Sequence, residues 1–116
     1  MLDYNINKNK LKTQVFEVSF DHEIMDAKVV NDVYIVLLEI KKGSLEVDNL
    51  YGISSVGKAK WRVQSVKEAF NIQNNTPYIS LDVSEDGKVK VTNFYGMRYR
   101  VNPENGLLIE KECLTW

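Results

Sequence analysis

The stretch LYGISSVGKAKW, Leu50–Trp61, decides how the rest of the chain is read. Gly52 and Gly57 bracket four residues and Lys58 follows, the outline of a phosphate-binding loop. Such a loop needs a helix after it, whose N-terminal amides meet the phosphate, and a Ser or Thr after the lysine to hold magnesium. Ala59 stands at that position, and KAKWRV then alternates with period two. Ala59, Trp61 and Val63 share one face, and Lys58, Lys60 and Arg62 the other, which is a strand pattern. The stretch therefore reads as strand, turn, strand, with no nucleotide site.

The same alternation recurs outward in both directions. In VFEVSF, Phe16, Val18 and Phe20 share a face; YISLDV sets Ile79, Leu81 and Val83 against Tyr78, Ser80 and Asp82; MRYRV sets Met97, Tyr99 and Val101 against Arg98 and Arg100. The continuous apolar run Val33–Leu38 suits a central strand buried on both faces. Asp86-Gly87 predicts a two-residue type I′ hairpin, and Asn102–Gly106, with Pro103 second and glycine last, predicts another tight turn. Only Ser65–Ile72 looks helical, a turn or two without a cap.

The opening unit also has a counterpart. Aligned with RYRVNPENGLLIE, Tyr51 meets Tyr99, Ile53 meets Val101, Gly57 meets Gly106 and Trp61 meets Glu110, with one extra residue in the second turn. Each unit follows an apolar strand, VYIVLLEI or KVKVTNF, so two similar antiparallel modules are expected.

LYGISSVGKAKW resembles the closing hairpin of pyrroloquinoline-quinone-type β-propeller repeats, roughly Leu-Tyr-Ala-x-Asp-x-x-x-Gly-x-x-x-Trp. There the tryptophan docks one four-stranded blade onto the next. YRVNPENGLL is similar, with Asn102 for the usual Asp and Glu110 at the place of the docking Trp. The whole chain resembles short bacterial proteins built from two such blade-like halves, and that resemblance implies no activity and no quinone cofactor. The expected fold is all-β: one domain over residues 1–116, blade-like antiparallel sheets at 24–64 and 77–112, and an added N-terminal strand.

Composition agrees with a globular domain of this size: 44% hydrophobic and 27% charged residues over 116 positions. Lys plus Arg number 15 against 16 Asp plus Glu, so no overall charge draws the chain to nucleic acid or an anionic membrane. One cysteine cannot form an internal disulfide, and no apolar run reaches the ~20 residues of a bilayer span or the length of a signal-peptide core. A cytoplasmic location is expected.

The candidate sites reduce to one surface. His22, between Asp21 and Glu23, has no second histidine to complete a zinc set, and neighbouring strand residues face apart. Cys113, on a terminal strand with one distant His, lacks the supporting third group. DVSEDGKVKVTN begins like a calcium loop at Asp82, Ser84, Asp86 and Gly87, but Asn93 stands where a bidentate Glu should close the shell. No catalytic, metal or cofactor residue is assigned. Trp61 is expected in the core; the sequence leaves Trp116 open. A basic face is expected from Lys58, Lys60, Arg62, Lys88, Lys90, Arg98 and Arg100, with Tyr95 nearby, while residues 17–48 carry eight acids against three lysines.

These readings point to a non-enzymatic protein-interaction module, specifically an immunity or antitoxin-like protein covering a partner's active surface. The basic face would meet an acidic protein surface. The alternative is a small-molecule or nucleic-acid binding domain using the cleft between the sheets and that basic face. Two blades leave edges or a docking face open, so a homodimer is expected, or else a monomer with its sheets face to face and Thr13–Phe20 covering an edge.

Overall fold

Short loops with matching chemistry set the topology. In a computed structural model describing residues 3–73 and 76–113, the Ser54–Lys58 loop is closed by Gly57 N–H to Ser54 C=O (3.0 Å) and Ser54 N–H to Lys58 C=O (2.8 Å). Ser54 Oγ accepts from the Lys58 amide at 3.1 Å, and Gly57 takes φ +87°. This is a type I turn followed by a left-handed residue, a geometry that glycine adopts without steric cost. Ser84–Lys88 repeats these bonds, and Asn93–Met97 uses the Asn93 side chain in the serine's place. Asp86-Gly87 therefore sits in a three-residue loop rather than the expected type I′ turn. The type I′ turn is Asn31-Asp32, where both residues have positive φ.

The type I′ turn, a longer loop over residues 39–49 and the Ser54–Lys58 loop join, in turn, β4 (Ile24–Val30), β5 (Val33–Leu38), β6 (Leu50–Ile53) and β7 (Ala59–Arg62) into one antiparallel meander, in that order. A second meander holds β8 (Tyr78–Val83), β9 (Val89–Asn93), β10 (Met97–Val101) and β11 (Leu108–Cys113). Each has the four-strand form of a propeller blade. With 48% strand and 5% helix among the described residues, the fold is all-β. Ahead of them β1 (Asn5–Asn7), β2 (Lys10–Lys12) and β3 (Glu17–Ser19) form a small sheet of their own.

Strand β5 shows how the layers stack. All six of its side chains are buried, and they divide by parity: Val33, Ile35 and Leu37 join the core against the second blade, while Tyr34, Val36 and Leu38 face the N-terminal sheet. Leu11, fully buried, and Phe16, Val18 and Phe20 cover that side. Phe16 and Tyr4 meet Tyr34 edge to face at 5.4 and 6.0 Å. The N-terminal segment is thus a three-stranded meander over a blade face, not one strand along an edge. The bare faces of three-residue strands are too small to be stable alone, and paired as a sheet they bury enough apolar area to cover the blade.

Between the blades lies the larger core. Ile35, Leu37, Leu50 and Trp61 meet Tyr78, Val89, Val91, Tyr99 and Val101. Trp61, 9% exposed, donates its indole N–H to the Pro103 carbonyl at 2.8 Å, so it reaches from the first blade to the β10–β11 turn of the second. Glycine is required beneath and beyond the ring: a Cβ on Gly52 would overlap it, and one on Gly106 would lie 2.6 Å away. Asn49, 1% exposed, is a second clamp. Its amide donates to the Leu38 and Tyr78 carbonyls (2.7 and 2.9 Å), and its oxygen accepts from the Tyr78 amide at 2.9 Å. It satisfies backbone groups of both blades where no ladder can.

Two local expectations are corrected. A bulge between Tyr78 and Ser80 turns Tyr78 fully inward and leaves Ile79 47% exposed, the reverse of the alternation, because one extra residue reverses parity. The linking helix α1 (Val66–Phe70) does have a cap: Ser65 Oγ accepts from the Glu68 amide at 3.1 Å, and Asn71 closes it in a left-handed conformation. Phe70 from this helix stacks on Tyr99 at 5.9 Å. Among the described residues no helix is long and apolar enough to cross a membrane. Trp116 lies outside the described residues.

Candidate functional site

Among the described residues, the first blade is covered on both faces and the second on one. Register identifies the uncovered side. Tyr99 pairs with Val91 across β9–β10, and Leu81 with Val91 across β8–β9, all buried toward the first blade. The intervening pairs, Arg98 with Thr92 and Glu112, Arg100 with Lys90 and Glu110, and Asp82 with Lys90, face away.

These side chains neutralise one another. Arg100 meets Glu110 at 3.2 Å, Arg98 meets Glu112 at 3.6 Å, and Lys90 meets Glu112 at 3.8 Å. Arg98 Nε also donates to Thr92 Oγ1 at 3.3 Å. The depression they line holds about 70 Å³, well below the ~300 Å³ of a typical small-molecule pocket. What this face can do is meet another surface.

Apolar groups rim it. Phe94 and Tyr95, each 71% exposed, stand on the β9–β10 loop with rings edge to face at 5.9 Å. The loop is held: Asn93 Oδ1 accepts from the Tyr95 and Met97 amides, both at 3.0 Å. The bulges put Ile79 on one margin and Ile109 on the other, both about half exposed. Rigid aromatic tips with little entropy to lose are what contact hot spots are made of.

Of the seven basic residues, Lys90, Arg98 and Arg100 are brought together here. Lys88 sits beside them in the β8–β9 loop, paired with Asp86 at 3.4 Å. The β7 residues belong elsewhere. Arg62 lies over the Tyr51 ring and donates to the Asp48 carbonyl at 2.8 Å, on the side of the N-terminal sheet. Lys60 pairs with Glu104 at 3.3 Å, and Lys58 is exposed beside the Gly57 turn. The seven do not form one continuous face.

The remaining candidates have structural settings. His22 Nε2 lies 3.1 Å from Glu46 Oε2. Ser84 donates to Asp86, which holds that carboxyl below the usual range, and Asp82 is a strand residue. Cys113 ends β11 and is exposed. No group of three His, Cys, Asp or Glu among the described residues is placed to hold a metal ion. Sequence reasoning placed Tyr95 near the basic face and passed over Phe94. Their signal was two aromatics in a glycine turn, where polar residues are usual.

The chain belongs to the family described as Domain of unknown function (DUF7957), whose model it matches over residues 1–113. No curated protein matches it. Among solved structures it is similar to the crystal structure of BamB from Moraxella catarrhalis, with a TM-score of 0.57 and 11% identity over 98% of this chain. That chain is a β-propeller, and the match covers 35% of it. The likeness places the fold among propeller-like all-β structures.

Proposed function

We propose that this member of the DUF7957 family is a non-enzymatic protein-interaction module that presents the outer face of its second blade to a protein partner. One observation carries the reading. A propeller blade is made to be stacked on both sides, and this one presents an open face edged by Phe94, Tyr95, Ile79 and Ile109. The ion pairs across its centre favour a partner surface of mixed charge that exchanges pairs with it, rather than an acidic surface drawn by net attraction. They equally weigh against a nucleic-acid backbone, which needs unpaired cations. A second copy of the chain, or a target surface covered as an immunity protein covers a toxin, fits this description, in the cytoplasm that the single cysteine suggests.

The test is cross-linking with mass spectrometry in an extract of the native host, comparing the parent chain with the Phe94→Ser, Tyr95→Ser double variant. Both residues are exposed, so the melting temperature is expected to be unchanged. Cross-links from Lys88 and Lys90 to a partner are expected in the parent and lost in the variant. Identical partner cross-links from both proteins would overturn the reading.

A further inference from the structure

A second opening lies across the first blade, where the N-terminal sheet ends beside the β6–β7 hairpin. It is a groove of about 320 Å³, within the range that accommodates a ligand group. Its floor is apolar: Val18 and Phe20 from the N-terminal side, Tyr51 and Ile53 from β6, with the Phe20 and Tyr51 rings 5.8 Å apart. Its mouth carries Asp21, Glu46 and His22, the histidine held to Glu46.

Two edge strands contribute to the walls. Among the described strands, β3 pairs with β2 alone and β7 is the last of its blade. Ser19 of β3 and Ala59 of β7 both line the groove. A strand edge beside an apolar trough is the arrangement that accepts an extended segment: backbone pairs along the edge, and alternate side chains drop into the trough. Three residues of β3 offer ~10 Å of edge, enough for a short segment.

Charge selects among such segments. Asp21 and Glu46 lie at the mouth, within the stretch 17–48 that holds eight acids and three lysines. Of the cations nearby, Arg62 lies over Tyr51 with its Nε engaged by the Asp48 carbonyl, and Lys58 flanks the Gly57 turn. We propose that this groove binds an extended segment of a partner protein in which apolar and basic side chains alternate, the apolar ones seated over Phe20 and Tyr51 and the basic ones beside Asp21 and Glu46. The proposal is independent of the second blade's outer face.

The test titrates the ¹⁵N-labelled full chain with two blocked heptapeptides, one alternating valine with lysine and one alternating valine with glutamate. The lysine peptide is expected to shift the amides of Val18–Phe20 and Tyr51–Ile53, leave Phe94 and Tyr95 unmoved, and bind about tenfold tighter than the glutamate peptide, a ratio equal to ~1.4 kcal/mol. Glu46→Lys, in an exposed loop, should remove most of that preference. Methylating alternate backbone nitrogens of the lysine peptide should abolish binding to the unaltered protein. Equal affinity for the two peptides, no binding by either at millimolar concentration, undiminished binding of the methylated peptide, or shifts at Phe94 and Tyr95 alone would overturn the proposal. So would a dimer whose dissociation on dilution shifts the amides of Val18–Phe20 and Tyr51–Ile53, because a second copy then closes the groove.

Discussion

Gly52 faces Trp61 across β6–β7, and Arg100 faces Glu110 across β10–β11. The two pairs occupy the same rung of their blades, since Tyr51 and Tyr99 precede Gly52 and Arg100. In the first blade the glycine leaves room for the indole to lie flat over it and reach Pro103 in the next blade. In the second, two charged side chains fill the rung, and their 3.2 Å pairing leaves no flat apolar patch for another blade. One substituted pair thus separates a face that stacks from one that stays open. Charged residues across a sheet face discourage sheet-on-sheet association in the same way.

Trp61→Ala should destabilise by ~3 to 5 kcal/mol, the cost of emptying a buried aromatic site, read as a fall in the urea midpoint. Asn49→Ala, which strands backbone groups of both blades, should cost at least ~2 kcal/mol. Gly52→Ala should cost ~1 to 3 kcal/mol, because the new methyl meets the indole in a packed layer. The matching changes on the open face should do far less: Arg100→Ala with Glu110→Ala is expected to shift stability by under ~1 kcal/mol, as for other exposed ion pairs. A loss there as large as that of Trp61→Ala would erase the distinction between the faces.

A pH series sharpens the account near the blade junction. Burial raises the Asp48 carboxyl above its ordinary 3.8, with Arg62 opposing, and its Oδ1 has no partner among the described residues. The folded state therefore holds that proton more tightly than the unfolded chain. Ionised Asp48 costs stability above its folded pKa, and the cost disappears below the ordinary value. Asp48→Asn should raise the melting temperature at pH 7, with the gain shrinking as pH falls toward 3. The Tyr78 hydroxyl, buried and likewise unpartnered, is raised by burial. Tyr78→Phe should be close to neutral, since no hydrogen bond is lost.

How legible the molecule is from sequence follows the range of the interactions. Strand positions and the burial of Trp61 were readable because period-two alternation is local, and the docking role of Trp61 was implied by the resemblance of the first unit to a propeller repeat. Ile79 was misplaced because a bulge reverses parity without any residue-type signature, and Asn49 was invisible because its partners lie 11 and 29 positions away. Of the cover over the first blade, the alternation of VFEVSF showed the strand at β3, while β1 and β2, three residues each, are too short for alternation to register. The basic stripe was legible residue by residue, but the carboxylates that pair with it come from β11 and from loops. Only the folded register shows that.

The central claim, that Trp61 seals the blade junction while Arg100 stands on an open face, is tested most directly by hydrogen exchange of two side chains in one ¹H–¹⁵N spectrum. In a Trp116→Phe variant the single indole signal belongs to Trp61. The account predicts that this indole N–H, bonded to Pro103, exchanges only with global unfolding, while the Arg100 Nε–H is lost to solvent at once. An indole that exchanges as fast as the arginine would contradict it.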